Sequence, residues 1–146
     1  MANIELLVGT TLGNAEYVAD ELASLLENAG HKAQVHLTPR FDELDPKALW
    51  LVISSTHGAG DLPDNIQPFF EDLANIKPDL TLQKFALCAI GDSQYDTFCQ
   101  GPEKLNYQLI ALGAFPIFDK LKIDVQSTPN AEDPAINWIS NWMDLI

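Results

Sequence analysis

The chain has 146 residues, 47% of them hydrophobic, with 21 acidic side chains against 8 basic ones and a formal net charge of -13. That length fits a single domain spanning 1–146, and no apolar run approaches the ~20 residues of a membrane-spanning helix. The negative field disfavours nucleic acid and anionic membranes and favours basic protein partners, although acidity also serves plain solubility.

The N-terminus reads MANIELLVGT, with no basic segment and no small-residue cleavage site, so no secretory leader is expected. Ile4 to Val8 is an apolar run broken only by Glu5 and ended by Gly9, a first strand. A helical stripe follows at Val18, Leu22, Leu25, Leu26 and Ala29, with Gly30 placed to stop it. Ala33, Val35 and Leu37 alternate weakly up to Pro39. Ala48 to Ile53 is apolar throughout and reads as a strand buried on both faces. Pro63-Asp64-Asn65 opens a stripe at Ile66, Phe69, Phe70 and Leu73. Phe85 to Ile90 is another buried strand, ended by Gly91. Leu105, Leu109 and Leu112 mark a helix that Gly113 can stop, and Phe115–Phe118 with Leu121–Ile123 supply pieces of a fifth strand. Asp133 is placed to cap a last helix with Pro134 at its first position, and Ile136, Ile139, Trp142, Met143 and Ile146 are expected to face the core.

Five strands alternating with helices predict a doubly wound parallel sheet with helices on both faces. Ligands of such sheets sit at the carboxyl ends of the strands, where strand order reverses. Three loops fall there. Gly9-Thr10-Thr11-Leu12-Gly13-Asn14-Ala15-Glu16 offers hydroxyls, two glycines and helix N-terminal amides, which suit a phosphate or simply cap a helix. It has no lysine and matches neither a P-loop nor GxGxxG. Ser54-Ser55-Thr56-His57-Gly58-Ala59-Gly60-Asp61-Leu62-Pro63-Asp64-Asn65 sets two glycines after a buried strand, which also fits an ordinary strand-to-helix connection. Gly91-Asp92-Ser93-Gln94-Tyr95-Asp96-Thr97-Phe98-Cys99 puts an aromatic ring past another strand end.

Taken together, the three loops resemble those of the flavodoxin family, including the flavodoxin-like domains of diflavin reductases. Gly9–Glu16 is similar to Gly-Ser-Gln-Thr-Gly-Thr-Ala-Glu, Thr56–Asp61 to Thr-Tyr-Gly-Glu-Gly-Asp, and Gly91–Phe98 to Gly-Asp-Ser-Ser-Tyr-Glu-Phe-Phe. The likeness is closest to short, free-standing MioC-type flavodoxin-like proteins and covers the whole chain. It implies strand order 2-1-3-4-5 and one noncovalent FMN. By position, Thr10, Thr11, Gly13, Asn14 and Ala15, with Leu12 in the same loop, would hold the phosphate. Ser55, Thr56, His57, Gly58, Ala59 and Gly60 would meet the flavin edge. Gly91, Asp92 and Ser93 would meet the pyrimidine, Tyr95 would stack on a ring face, and Phe98 and Cys99 complete the set. Leu12 and Asn14 stand where the diflavin pattern has threonines, and His57 where it has tyrosine.

The resemblance implies an electron carrier, a monomer, exchanging electrons with a flavoprotein reductase as donor and a redox acceptor protein. It implies no catalytic residue and no metal. Two readings stay open beside it: a flavin-dependent reductase of small molecules such as quinones, and a binding module with weak or lost FMN binding. A triad of Ser55, His57 and Asp61 is disfavoured, because neighbours on one short loop rarely reach triad geometry. His31, His36, Trp50, Trp138 and Trp142 read as packing or surface residues. Cys88 and Cys99 form no CxxC pair, which fits a reducing, cytoplasmic setting.

Overall fold

Strands and helices alternate along the chain in the structure, a computed structural model that describes residues 2–11, 13–57, 60–92, 99–127 and 130–146, the Leu145 side chain excepted. The order is β1 (Asn3–Gly9), α1 (Asn14–Asn28), β2 (Lys32–His36), β3 (Leu49–Ser55), α2 (Gln67–Ile76), β4 (Lys84–Gly91), α3 (Gln100–Ala111), β5 (Phe115–Pro116), β6 (Leu121–Asp124) and α4 (Glu132–Ser140). Short 3-10 turns at Phe41–Glu43 and Met143–Leu145 complete it. No helix among the described residues is long and apolar enough to cross a membrane.

All strand pairs are parallel, and the order is β2-β1-β3-β4-β5. The expected fifth strand is present in two pieces: β5 pairs with the start of β4 and β6 with its end. The period of two along each strand divides the core. Leu51 and Ile53 of β3 and Ala86 and Cys88 of β4 join the α1 and α4 side, with Val18, Leu22, Trp138 and Trp142. Trp50, Val52, Phe85 and Leu87 join the α2 and α3 side, with Phe69, Leu73, Leu105 and Leu109. Covering both faces explains why these strands read as continuous apolar runs, whereas β2, at the sheet edge, is only half-buried.

Gly30 and Gly113 end α1 and α3 as the sequence predicts, at φ +94° and +101°. His31 N donates to Leu26 O and Gly30 N to Glu27 O, and the pair from Ala114 and Gly113 repeats this at α3. These are Schellman closures, which need a left-handed residue at that position. One boundary differs. Asp133 does not cap α4: the helix begins at Glu132 after Ala131, with no side-chain cap. Pro134 is tolerated inside because the first-turn amides lack intrahelical acceptors in any case.

The tryptophans are packing residues. Trp50 stands edge-on to Phe41 and Phe69, and Trp138 edge-on to Trp142. Of the expected core face of the last helix, Ile139 and Trp142 are buried, while Ile136, Met143 and Ile146 are half-buried. His31 is buried and works as a tie. Ala2 N donates to its Nδ1 at 3.0 Å, which leaves Nε2 to donate to Met143 O at 3.0 Å. His36 meets the Glu5 carboxylate across the β1–β2 pair.

Candidate functional site

β2 lies on one side of β1 and β3 on the other, so strand order reverses at the carboxyl end of β1. There the sheet allows no side chain at Gly9: a Cβ would stand 2.3 Å from Ser54 Oγ and 2.9 Å from Ile66 Cγ2. The chain then turns sharply. Thr10 Oγ1 accepts a hydrogen bond from Gly13 N at 2.8 Å, and Gly13 adopts φ +92°. No side chain caps α1, and the Tyr17 N to Gly13 O bond leaves the amides of residues 14–16 without intrahelical acceptors. A loop that ends in free helix amides carries partial positive charge and takes an anion without a lysine. Ala15 has its side chain in the core, so it can offer this site only its backbone; Thr11 and Asn14 are exposed.

A residue outside the expected set fixes this loop. Asn65 Oδ1 accepts from Thr10 N at 2.8 Å, while its Nδ2 donates to Val8 O and Leu37 O, each at 2.7 Å. One amide thus ties the ends of β1 and β2 to the segment leading into α2. In the sequence Asn65 reads as the last residue of the second loop and a helix opener, with no role assigned, because nothing local marks contacts 28 to 57 positions away.

The second loop is closed by reciprocal bonds, His57 N to Asp61 O at 2.7 Å and Asp61 N to His57 O at 2.9 Å. Gly60 within it has φ +96°. His57 is exposed, and its Nδ1 lies 3.4 Å from Thr11 Oγ1, which brings the first two loops together. The base of the loop rests on α3: a Cβ on Gly101 would stand 2.4 Å from Asp61 O. Lys104 Nζ pairs with Asp61 Oδ1 at 2.9 Å and holds that carboxyl below its usual range. Gly101 is also absent from the expected set. Its one sequence signal is a poor helix former at the second position of a helix. The Ser55 hydroxyl donates to Gly9 O at 3.3 Å and so is used within the sheet. Thr56 Oγ1 is buried and has no hydrogen-bond partner among the described residues.

Past β4, Gly91 O accepts from Val125 N at 2.9 Å and Asp92 Oδ2 from Gln126 Nε2 at 2.9 Å, so the strand end is pinned to the 124–127 turn. Cys99 is the left-handed N-cap of α3 at φ +57°, fully buried. Burial pushes its thiol up to about 11 and that of Cys88 to about 12, so both are packed, unreactive thiols. The expected site residues Leu12, Gly58, Ala59, Ser93, Tyr95 and Phe98 lie outside the described residues.

The sequence profile of the flavodoxin family, "Flavodoxin", matches residues 6–138. The chain belongs to the flavodoxin family. Among its relatives, "Protein MioC" of Escherichia coli (strain K12) is 46% identical over 146 residues, covering 100% of this chain and 99% of that one. "Flavodoxin YqcA" of the same strain is 35% identical over 151 residues, with 100% and 99% covered. A solved cysteine-to-serine mutant of flavodoxin from Pseudomonas aeruginosa superposes with a TM-score of 0.89 at 32% identity, covering 97% of each chain. This is therefore a MioC-type flavodoxin-like protein, an FMN-binding electron-transfer protein with the expected strand order. The site fits that cofactor on its own chemistry. It combines an uncapped helix N-terminus for a phosphate with a buried hydroxyl, Thr56 Oγ1, that lacks a partner among the described residues. An unpaired buried hydroxyl of this kind costs about 1–3 kcal/mol, which a bound polar group offsets.

Proposed function

We propose that this flavodoxin carries electrons between a flavoprotein reductase and an acceptor protein, as a cytoplasmic monomer formed from one domain, 1–146. The observation that supports it best is the convergence of two loops on one sheet edge. The Thr10–Ala15 turn ends in amides with no acceptor among the described residues, and the Thr56–Asp61 turn stands beside it through the Thr11–His57 contact. The amides of residues 14–16 and the Thr11 hydroxyl would hold the phosphate, and Thr56 would meet the ring edge. His57, exposed beside Thr11, would lie against a ring face. FMN supplies the redox chemistry when bound; the protein supplies position and field.

This chain's own groups act mainly by electrostatics. The net charge of -13 raises the free energy of any further negative charge placed at the site, which lowers the potential for the last electron. The same charge steers a basic partner, and Lys104 ties the Asp61 carboxylate at the loop base to α3.

Flavin fluorescence quenching tests the phosphate assignment directly. FMN is expected to bind one to one and riboflavin at least about tenfold more weakly, a gap of about 1.4 kcal/mol. Equal affinities would remove the role given to Thr10–Ala15. Electron exchange with a basic reductase should slow as salt rises, and a salt-independent rate would reject acidic docking.

A further inference from the structure

The opposite edge of the sheet, where the strands begin, holds a cavity of about 630 Å³ that the FMN reading does not use. This size is typical of small-molecule sites, which run to roughly 300–1,000 Å³. Leu49, Ile117, Phe118 and Trp142 line it, and Leu82 stands at its lip with 94% of its surface exposed. The walls are fixed. Gln83 Nε2 donates to Ala48 O at 2.7 Å, Phe115 N donates to Gln83 O at 2.8 Å, and Phe118 packs on Trp142 with ring centroids 6.0 Å apart. Behind this wall the Trp142 indole N–H is buried with no acceptor among the described residues.

Charge distinguishes this cavity from a packing defect. Of the eight basic residues, Arg40, Lys104, Lys120 and Lys122 stand in ion pairs with carboxylates. Lys32, Lys47, Lys77 and Lys84 have no carboxylate partner among the described residues. All four fall at this edge by topology: Lys32 and Lys84 open β2 and β4, Lys47 precedes β3, and Lys77 ends α2. Lys47 and Lys84 line the cavity itself. The register that pairs Trp50 with Phe85 sets the starts of their two strands side by side. Nearby acids are turned elsewhere: Asp45 accepts from Lys47 N and Asp79 from Thr81 N. In a chain of net charge -13, two unpaired ammonium groups over an apolar trough have one obvious complement.

We propose that this cavity binds an amphipathic anion, with an aliphatic or aromatic body in the trough and its carboxylate at Lys47 and Lys84. The site is separate from the FMN loops and extends the function beyond electron transfer to recognition of a small ligand. Isothermal titration of the FMN-loaded protein with dodecanoate, below its micelle-forming concentration, tests it. One site is expected. Lys47→Glu with Lys84→Glu should weaken it about tenfold or more, since two attractions are lost and each becomes a repulsion. Lys32→Glu with Lys77→Glu makes the same change in net charge at the same sheet edge but outside the cavity lining, and should weaken binding clearly less than the Lys47 and Lys84 pair. FMN uptake by both variants should match wild type, which shows that they fold. In nuclear magnetic resonance spectra, dodecanoate should shift the Trp142 indole and Ile117 signals. Absence of saturable binding would overturn the proposal. So would equal weakening by the two double variants, or shifts centred on Thr10–Asn14 instead.

Discussion

The two ends of the sheet are built on opposite rules. At the carboxyl end, polar loops are locked by hydrogen bonds of their own, Thr10 with Gly13 and Asn65, and His57 with Asp61. What is left over there is donor capacity: helix amides and a buried hydroxyl. At the amino end the walls are apolar side chains, and what is left over is volume and unpaired lysine charge. The first end is shaped for a phosphate and an aromatic ring held by backbone, the second for a greasy body held by packing. A small α/β domain has room for both because its buried strands separate the two ends by the length of the sheet.

That separation can be tested by substitution, and the largest effect is expected at the amino end. Trp142→Ala removes a fully buried ring and should cost about 3–5 kcal/mol in chemical denaturation. FMN affinity of the folded fraction should hardly change; a loss above about tenfold (1.4 kcal/mol) would show that the two ends are coupled. Asn65→Ala acts at the other end. It strands Thr10 N, Val8 O and Leu37 O, and a half-buried position of this kind should cost about 2–3 kcal/mol. Here FMN affinity should fall along with stability, measured by fluorescence quenching on folded protein. Unchanged affinity would mean that the first loop keeps its shape without its tether.

Gly101→Ala comes next. Its Cβ would press on the Asp61 carbonyl, so overpacking should cost about 1–3 kcal/mol and displace the 57–61 loop. FMN binding should weaken more than in any variant at the amino end, which equilibrium titration can rank.

The smallest effect is a pH dependence that belongs to neither end. Arg40 grips Asp72 with two bonds of 2.9 Å, which, with the Phe41 amide, hold the Asp72 carboxyl below its ordinary range. A carboxyl with a lowered folded-state pKa adds stability above its unfolded value of about 3.9, and that stability is lost as pH falls through the folded value. Because Arg40 is half exposed, the contribution should be under about 1 kcal/mol. Asp72→Asn should flatten the acid limb of the stability curve by that amount and leave the neutral region nearly parallel to wild type.

Much of the fold is legible in the residues before any coordinate: the alternation of strands and helices, the glycine stops at Gly30 and Gly113, and the three loops that carry the family likeness, while the strand order comes only through that likeness. These are legible because periodicity, helix closure and turn chemistry are local: each needs only a few neighbouring residues. Local signals also overreach, at Asp133, where a good capping residue lies inside the helix it was expected to open, and at Ile136, Met143 and Ile146, which are only half-buried. The roles of Asn65, Gly101 and His31 emerge only on folding, because their partners lie tens of positions away in the chain. The same holds for which lysines lack carboxylates among the described residues, and for the two that line one apolar cavity. Hydrogen bonds, steric clearance and charge pairing are set by distance in space, and sequence spacing does not encode that distance until the sheet register has brought the segments together.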